Sequence, residues 1–299
     1  MCIIKYDNDV RAELEDKNFS LLADKIIQKW ICEVGISLES ISEIRVCQST
    51  KLDLTQAYTK PIFDKRTVRF QIIISDEIFR HLSEYPDTTE KYMTKSIFQH
   101  ELFHCKEIEI LVNGNFMSNY QKLFSNIEIK TAYDFMLVSA IKVWSEFYSC
   151  YQNFKINKWN SVPCLENEFL LIDNKIHYLK YRMEKDKKLK IAITKNFCNI
   201  MFYFWYHMIS IIAVYLQEQE KIVIEDFYLH ENEYPYLSKY FEFICDKLSE
   251  YMRNYPKWLS EDGYIQFAKD LLYIFEMNGL TFKNEDIHEG LILSQIDWL

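Results

Sequence analysis

The stretch "SIFQHELFHCKEIEI", residues 96–110, decides how this chain is read. His100 and His104 stand four apart, with Glu101 directly after the first. Ile97, Phe98, Leu102, Phe103 and Ile108 give the segment apolar surface, and no Gly or Pro interrupts it. The spacing therefore predicts a helix over 90–112, stopped by Asn113-Gly114. On such a helix the two histidines share one face, a turn apart. Two neutral imidazoles placed so can both reach one Zn²⁺ at about 2.0–2.1 Å. Glu101 is rotated by about 100° from His100, so it does not join the same ion but can reach a water on it. These are the parts of metal-assisted hydrolysis, with Glu101 as the catalytic general base. The competing reading is two hydrogen-bonded histidines on a half-buried helix.

A catalytic zinc site needs a third protein ligand. The extended, metzincin form of the motif places a third histidine where this chain has Ile110, and a glycine where it has Glu107. That form is excluded. A glutamate from a later helix is the alternative, and Glu146 in "VWSEFYSCY" is the candidate metal ligand beside His100 and His104. It interrupts an apolar, aromatic run that includes Leu137, Ile141, Trp144, Phe147 and Tyr148. A carboxylate buried there is costly unless paired or metal-bound. A surface glutamate on a polar stripe with Lys142 is the other reading.

HELFH followed by WSEFY resembles the gluzincins, metallopeptidases in which a second helix supplies a glutamate as third zinc ligand. The WSEFY stretch is also similar to a W-S/A-E-Y/F-x-A-x-R helix of bacterial zincin-like proteins: Trp144, Ser145, Glu146 and Phe147 match, while Ser149 stands in place of the Ala and Tyr151 in place of the Arg. The resemblance covers roughly residues 65–152. It implies a zinc-dependent peptidase acting on a peptide or protein substrate. It also implies an edge strand beside the site helix, to which a peptide adds through main-chain bonds. Residues 67–74, "TVRFQIII", have the composition for that strand, although sequence alone does not say which strand lies at the edge. Glu107, one turn after His104, is a candidate to accept a hydrogen bond from a ligand imidazole, or else a surface partner of Lys106. Tyr148 and Tyr151, with His177 and His207, are the candidates to stabilise an oxyanion.

The rest of the chain sets the frame. The 299 residues are 49% hydrophobic and 26% charged, with only 5 Gly and 5 Pro, which favours long helices with short connections. Net charge is -9, and "EKDKKLK" (184–190) is the longest basic run, so nucleic acid is not expected as a partner. The eight cysteines include no CxxC pair, and "MCIIKYDNDV" shows no secretory signal; both suit reduced thiols and a cytoplasmic location. Residues 196–217 carry no formal charge and are long enough for a bilayer. Asn196, Asn199, His207 and Ser210 inside them favour a core helix, leaving membrane association as the alternative.

Periodicity further predicts a helix over 18–34, strands over 41–48 and 65–75, and a short helix over 76–85 begun at Ser75-Asp76. Helices follow at 133–157, 166–187, 190–217, 235–254 and 260–278. The expected fold is α+β and predominantly helical: a zincin-like half over 1–160 with a small sheet, then a helical half over 161–299. A non-catalytic zincin-like scaffold that binds a protein partner is the alternative to the peptidase.

Overall fold

The β-branched run Thr67–Ser75 forms the centre of a four-stranded mixed sheet. The structure, a computed structural model, describes residues 4–7, 10, 14, 17–52, 56–64, 67–83, 88–113, 132–157 and 237–277, with scattered positions between 170 and 217. The strands are β1 (Ile4–Tyr6), β2 (Ile41–Cys47), β3 (Ala57–Asp64) and β4 (Thr67–Ser75), in the order β1-β2-β4-β3. β1 and β4 run parallel to β2, and β3 runs antiparallel to β4. The helices are α1 (Lys17–Val34), α2 (Asp76–Phe79), α3 (Thr89–Asn113), α4 (Ala132–Asn157), α5 (Leu237–Arg253) and α6 (Glu261–Met277). The fold is thus α+β and predominantly helical.

The chain forms two compact units: residues 1–121 with 148–160, and residues 122–147 with 161–299. Helix α4 is continuous through the division, which falls between Phe147 and Tyr148.

In the first unit, alternation along the strands sorts side chains by face. Phe70, Ile72 and Ile74 of β4 and Ile44 and Val46 of β2 are all buried, in register on one face. Each such side chain contributes about 1.5–3 kcal/mol when fully buried. Ile73 points to the opposite face and joins Cys47 and Leu52 in a smaller cluster. Helix α1 buries the stripe Ala23, Ile27, Trp30, Ile31 and Val34, at the spacing its sequence shows. Its end is a Schellman motif. Gly35, at φ 78°, donates to the Cys32 carbonyl, and Ile36 donates to the Ile31 carbonyl.

Helix α3 begins at Thr88, whose hydroxyl accepts from the Lys91 amide. It is held to α1 by Lys106, which donates to the Val34 carbonyl at 2.7 Å, by Gln99 donating to Glu33, and by the Lys95–Glu33 ion pair at 2.9 Å. α3 buries residues on nearly every side, from Phe98 and Leu102 to Gln99 and Glu107.

Strand β3 was not anticipated from the sequence, and a proline, Pro61, sits in its middle. It is tolerated for a reason of register. The Ser75 amide donates to the Gln56 carbonyl, so by antiparallel alternation Tyr58, Lys60 and Ile62 face β4 with their main-chain groups. Pro61 falls on the outward-facing set, where no ladder donor is lost. β4, the stretch 67–74 whose composition suited an edge strand, is internal, and β3 is the outer strand beside α3. The helix expected over 76–85 is α-helical only to Phe79 and tightens to a 3₁₀ turn over Arg80–Ser83. Ser75 does cap it, accepting from the Ile78 amide.

In the second unit the aromatic side chains pack together. Trp144, fully buried, stacks on Tyr255 at 5.7 Å and meets Trp258 edge-on at 4.8 Å. Tyr251 joins Trp258 and Phe267, and its hydroxyl donates to Asp270 at 2.8 Å. Helix α6 starts at Ser260, whose hydroxyl accepts from the Gly263 amide. The expected helices over 166–187 and 190–217 fall largely outside the described residues, as does His207; Ile209, Ile212 and Ala213 are buried. Among the described residues no helix is long and apolar enough to cross a membrane.

Candidate metal centre

Residues 100–104 lie in the middle of α3, two turns or more from either end, where the helix cannot fray. Both imidazoles are half-buried on one face. Their Nε2 atoms are 3.0 Å apart and their rings are nearly perpendicular, at 84°. Two nitrogens bound to one tetrahedral zinc at about 2.0–2.1 Å would be separated by about 3.3 Å. The observed pair is within a few tenths of an ångström of that edge, so these donors fit such an ion. Glu101 is largely buried, at 8% exposure, on the neighbouring side of the helix. The ligand atoms of His100, Glu101 and His104 all lie within 4.8 Å of one another.

Strand β3 supports this turn. The Thr59 hydroxyl donates to the Glu101 carbonyl at 3.0 Å and lies 3.9 Å from the Cys105 sulfur. Cys105 is fully buried. Burial drives its thiol well above the ordinary cysteine range, with Thr59 opposing and the charges of Glu101 and Glu109 adding to the rise. Thr59 had no local sequence signal, since its role comes from pairing across the chain.

The C-terminal half of α4 packs antiparallel to α3. Asn153 donates to both the carbonyl and the hydroxyl of Ser96, and Asn157 donates to Gln99. Cys150 follows in the same register, its sulfur 3.9 Å from Nδ1 of His100. Glu146 is one turn before Cys150 on this continuous helix and is half-buried. The ligand atoms of His100, Glu146 and Cys150 form a second group within 4.8 Å. Among the described residues there are thus two three-membered donor groups, and His100 belongs to both.

The remaining candidates are placed as follows. Glu107 is fully buried, which excludes the surface pair with Lys106, whose ammonium is committed to Val34. Tyr148 is buried at 3% exposure and lies about 200° around α4 from Glu146, on the far side of the helix. Tyr151 is half-buried, about 140° from Glu146. His177 is exposed. Cys150 was missed by sequence reasoning. Its signal was its i, i+4 spacing from Glu146.

Comparisons of the chain with protein-family models, with curated proteins and with solved structures give no match, so the site is read from its own geometry.

Proposed function

We propose that this chain is a zinc-dependent peptidase. The observation that carries the reading is the His100–His104 pair, with Nε2 atoms 3.0 Å apart on a rigid internal helix and Glu101 beside them. His100 and His104 hold the ion, and Glu146 is the third ligand. The antiparallel register that sets Ser96 against Asn153 and His100 against Cys150 supports this choice. Glu146 stands one helical turn before Cys150 on α4. When bound, zinc supplies Lewis acidity, polarising a water and the substrate carbonyl.

The chain's own residues do the rest. Glu101 takes the proton of the attacking water and passes it to the leaving amine. Its main chain is steadied by Thr59 of the outer strand. The main-chain groups of Ala57, Thr59 and Phe63, and the carbonyl of Pro61, point away from β4. A peptide in extended form adds to them as a further strand, which fixes its scissile bond relative to the histidines. The substrate is accordingly a peptide or an unfolded protein segment, read mainly by its backbone.

The test is metal analysis paired with a cleavage assay. Glu101→Gln keeps zinc and lowers turnover of an unstructured protein such as casein by roughly 10²–10⁴-fold. Glu146→Ala loses most of its zinc, because two histidines alone hold the ion weakly. Undiminished cleavage by Glu101→Gln would refute the mechanism.

A further inference from the structure

Cys150 lies outside the HExxH motif, yet it faces the same histidine from the other side. His100 presents Nε2 to His104 at 3.0 Å and Nδ1 to the Cys150 sulfur at 3.9 Å. Glu146 and Cys150 are one turn apart on α4, so carboxylate and thiol share a face. With His100 they form a donor group whose ligand atoms all lie within 4.8 Å. An imidazole nitrogen at about 2.0–2.1 Å and a thiolate sulfur at about 2.3 Å from one tetrahedral zinc are separated by about 3.6 Å. The observed 3.9 Å needs only a small rotamer adjustment to meet that edge.

We propose that Cys150 is a metal donor, and that there is a second mode in which His100, Glu146 and Cys150 hold the ion on the Nδ1 side of His100, away from His104. The inference rests on the reading that His100 binds a divalent transition metal. Binding forms the sulfur–metal bond and releases the thiol proton to solvent; nothing is oxidised. A soft thiolate in the donor set selects zinc or cobalt over magnesium and calcium. It also makes the centre sensitive to thiol chemistry that leaves His104 and Glu101 untouched. Cys150 is half-buried, so small reagents reach it.

Cobalt(II) is the probe. The full chain loaded with one equivalent should show thiolate-to-cobalt charge-transfer absorption in the near ultraviolet. His104→Ala should retain that band and Cys150→Ser should lose it. A second measurement uses the unaltered protein: zinc should lower iodoacetamide labelling of Cys150 several-fold and leave the exposed Cys32 unchanged. Bound cobalt with no such band, or a band that survives Cys150→Ser, overturns the proposal while the peptidase reading stands on its Glu101→Gln result. A chain that binds no cobalt overturns both.

Discussion

The stretch of α3 that carries the histidines buries several polar groups. Gln99, Glu101, Cys105 and Glu107 are all buried within three turns. Neighbours on other elements place two of them: Glu33 and Asn157 hold Gln99, and Thr59 lies against Cys105. Two predictions belong at this scale. Thr59→Val removes the donor to the Glu101 carbonyl and should cost about 0.5–1.5 kcal/mol, seen as a lower urea midpoint at unchanged slope. Cys105, whose buried thiol is driven upward, has almost no thiolate near neutral pH. It should resist iodoacetamide in the native protein while Cys32 reacts, as peptide mapping of labelled protein would show.

At the scale of elements, the α1–α3 clamp fixes the height of the site helix. Burial alone would raise the Glu33 carboxyl, but the hydrogen bond and charge of Lys95, with Gln99 and Lys29, hold it below the ordinary glutamate range. A depressed folded value means that the stabilisation is complete above the unfolded value, about 4.3, and is lost as pH falls through the folded one. Glu33→Gln should therefore flatten the loss of stability on acidification below about pH 4, measured by circular dichroism in an acid titration. The cap of α1 gives a second test. A Cβ on Gly35 would meet Lys106 Nζ at 3.5 Å, an ordinary contact, so the penalty of Gly35→Ala is the left-handed backbone. It should destabilise by about 1–2 kcal/mol in chemical denaturation. At the start of α6 the obstacle is steric instead. A Cβ on Gly263 would lie 1.9 Å from the Trp258 carbonyl oxygen, so the backbone there has to shift.

At the scale of the whole molecule, α4 is the one described helix divided between the two units. Residues through Phe147 belong to the second unit, where Trp144 is packed among Tyr255, Trp258 and Phe267. Residues from Tyr148 onward belong to the first, where Asn153 and Asn157 dock on α3. Trp144→Ala removes the largest fully buried side chain among the described residues and should cost about 3–5 kcal/mol, with loss of near-ultraviolet aromatic ellipticity in thermal melts.

What the sequence determined by itself was local. The i, i+4 histidines, the apolar stripe of α1, the Ser75 cap and the β-branched run of β4 are each legible, because a helix or strand repeats over a few residues and its pattern needs no distant partner. Tertiary structure decided the rest. Which strand lies at the edge was open until pairing put 57–64 outermost, with Pro61 on its outward side. Glu107 read equally well as exposed or buried until α3 was enclosed by its neighbours. Cys150 read as one more thiol until the antiparallel packing of α4 turned it toward a histidine fifty residues earlier. Strand order and helix register are set by contacts between residues far apart in the chain, and no short window of sequence contains both partners.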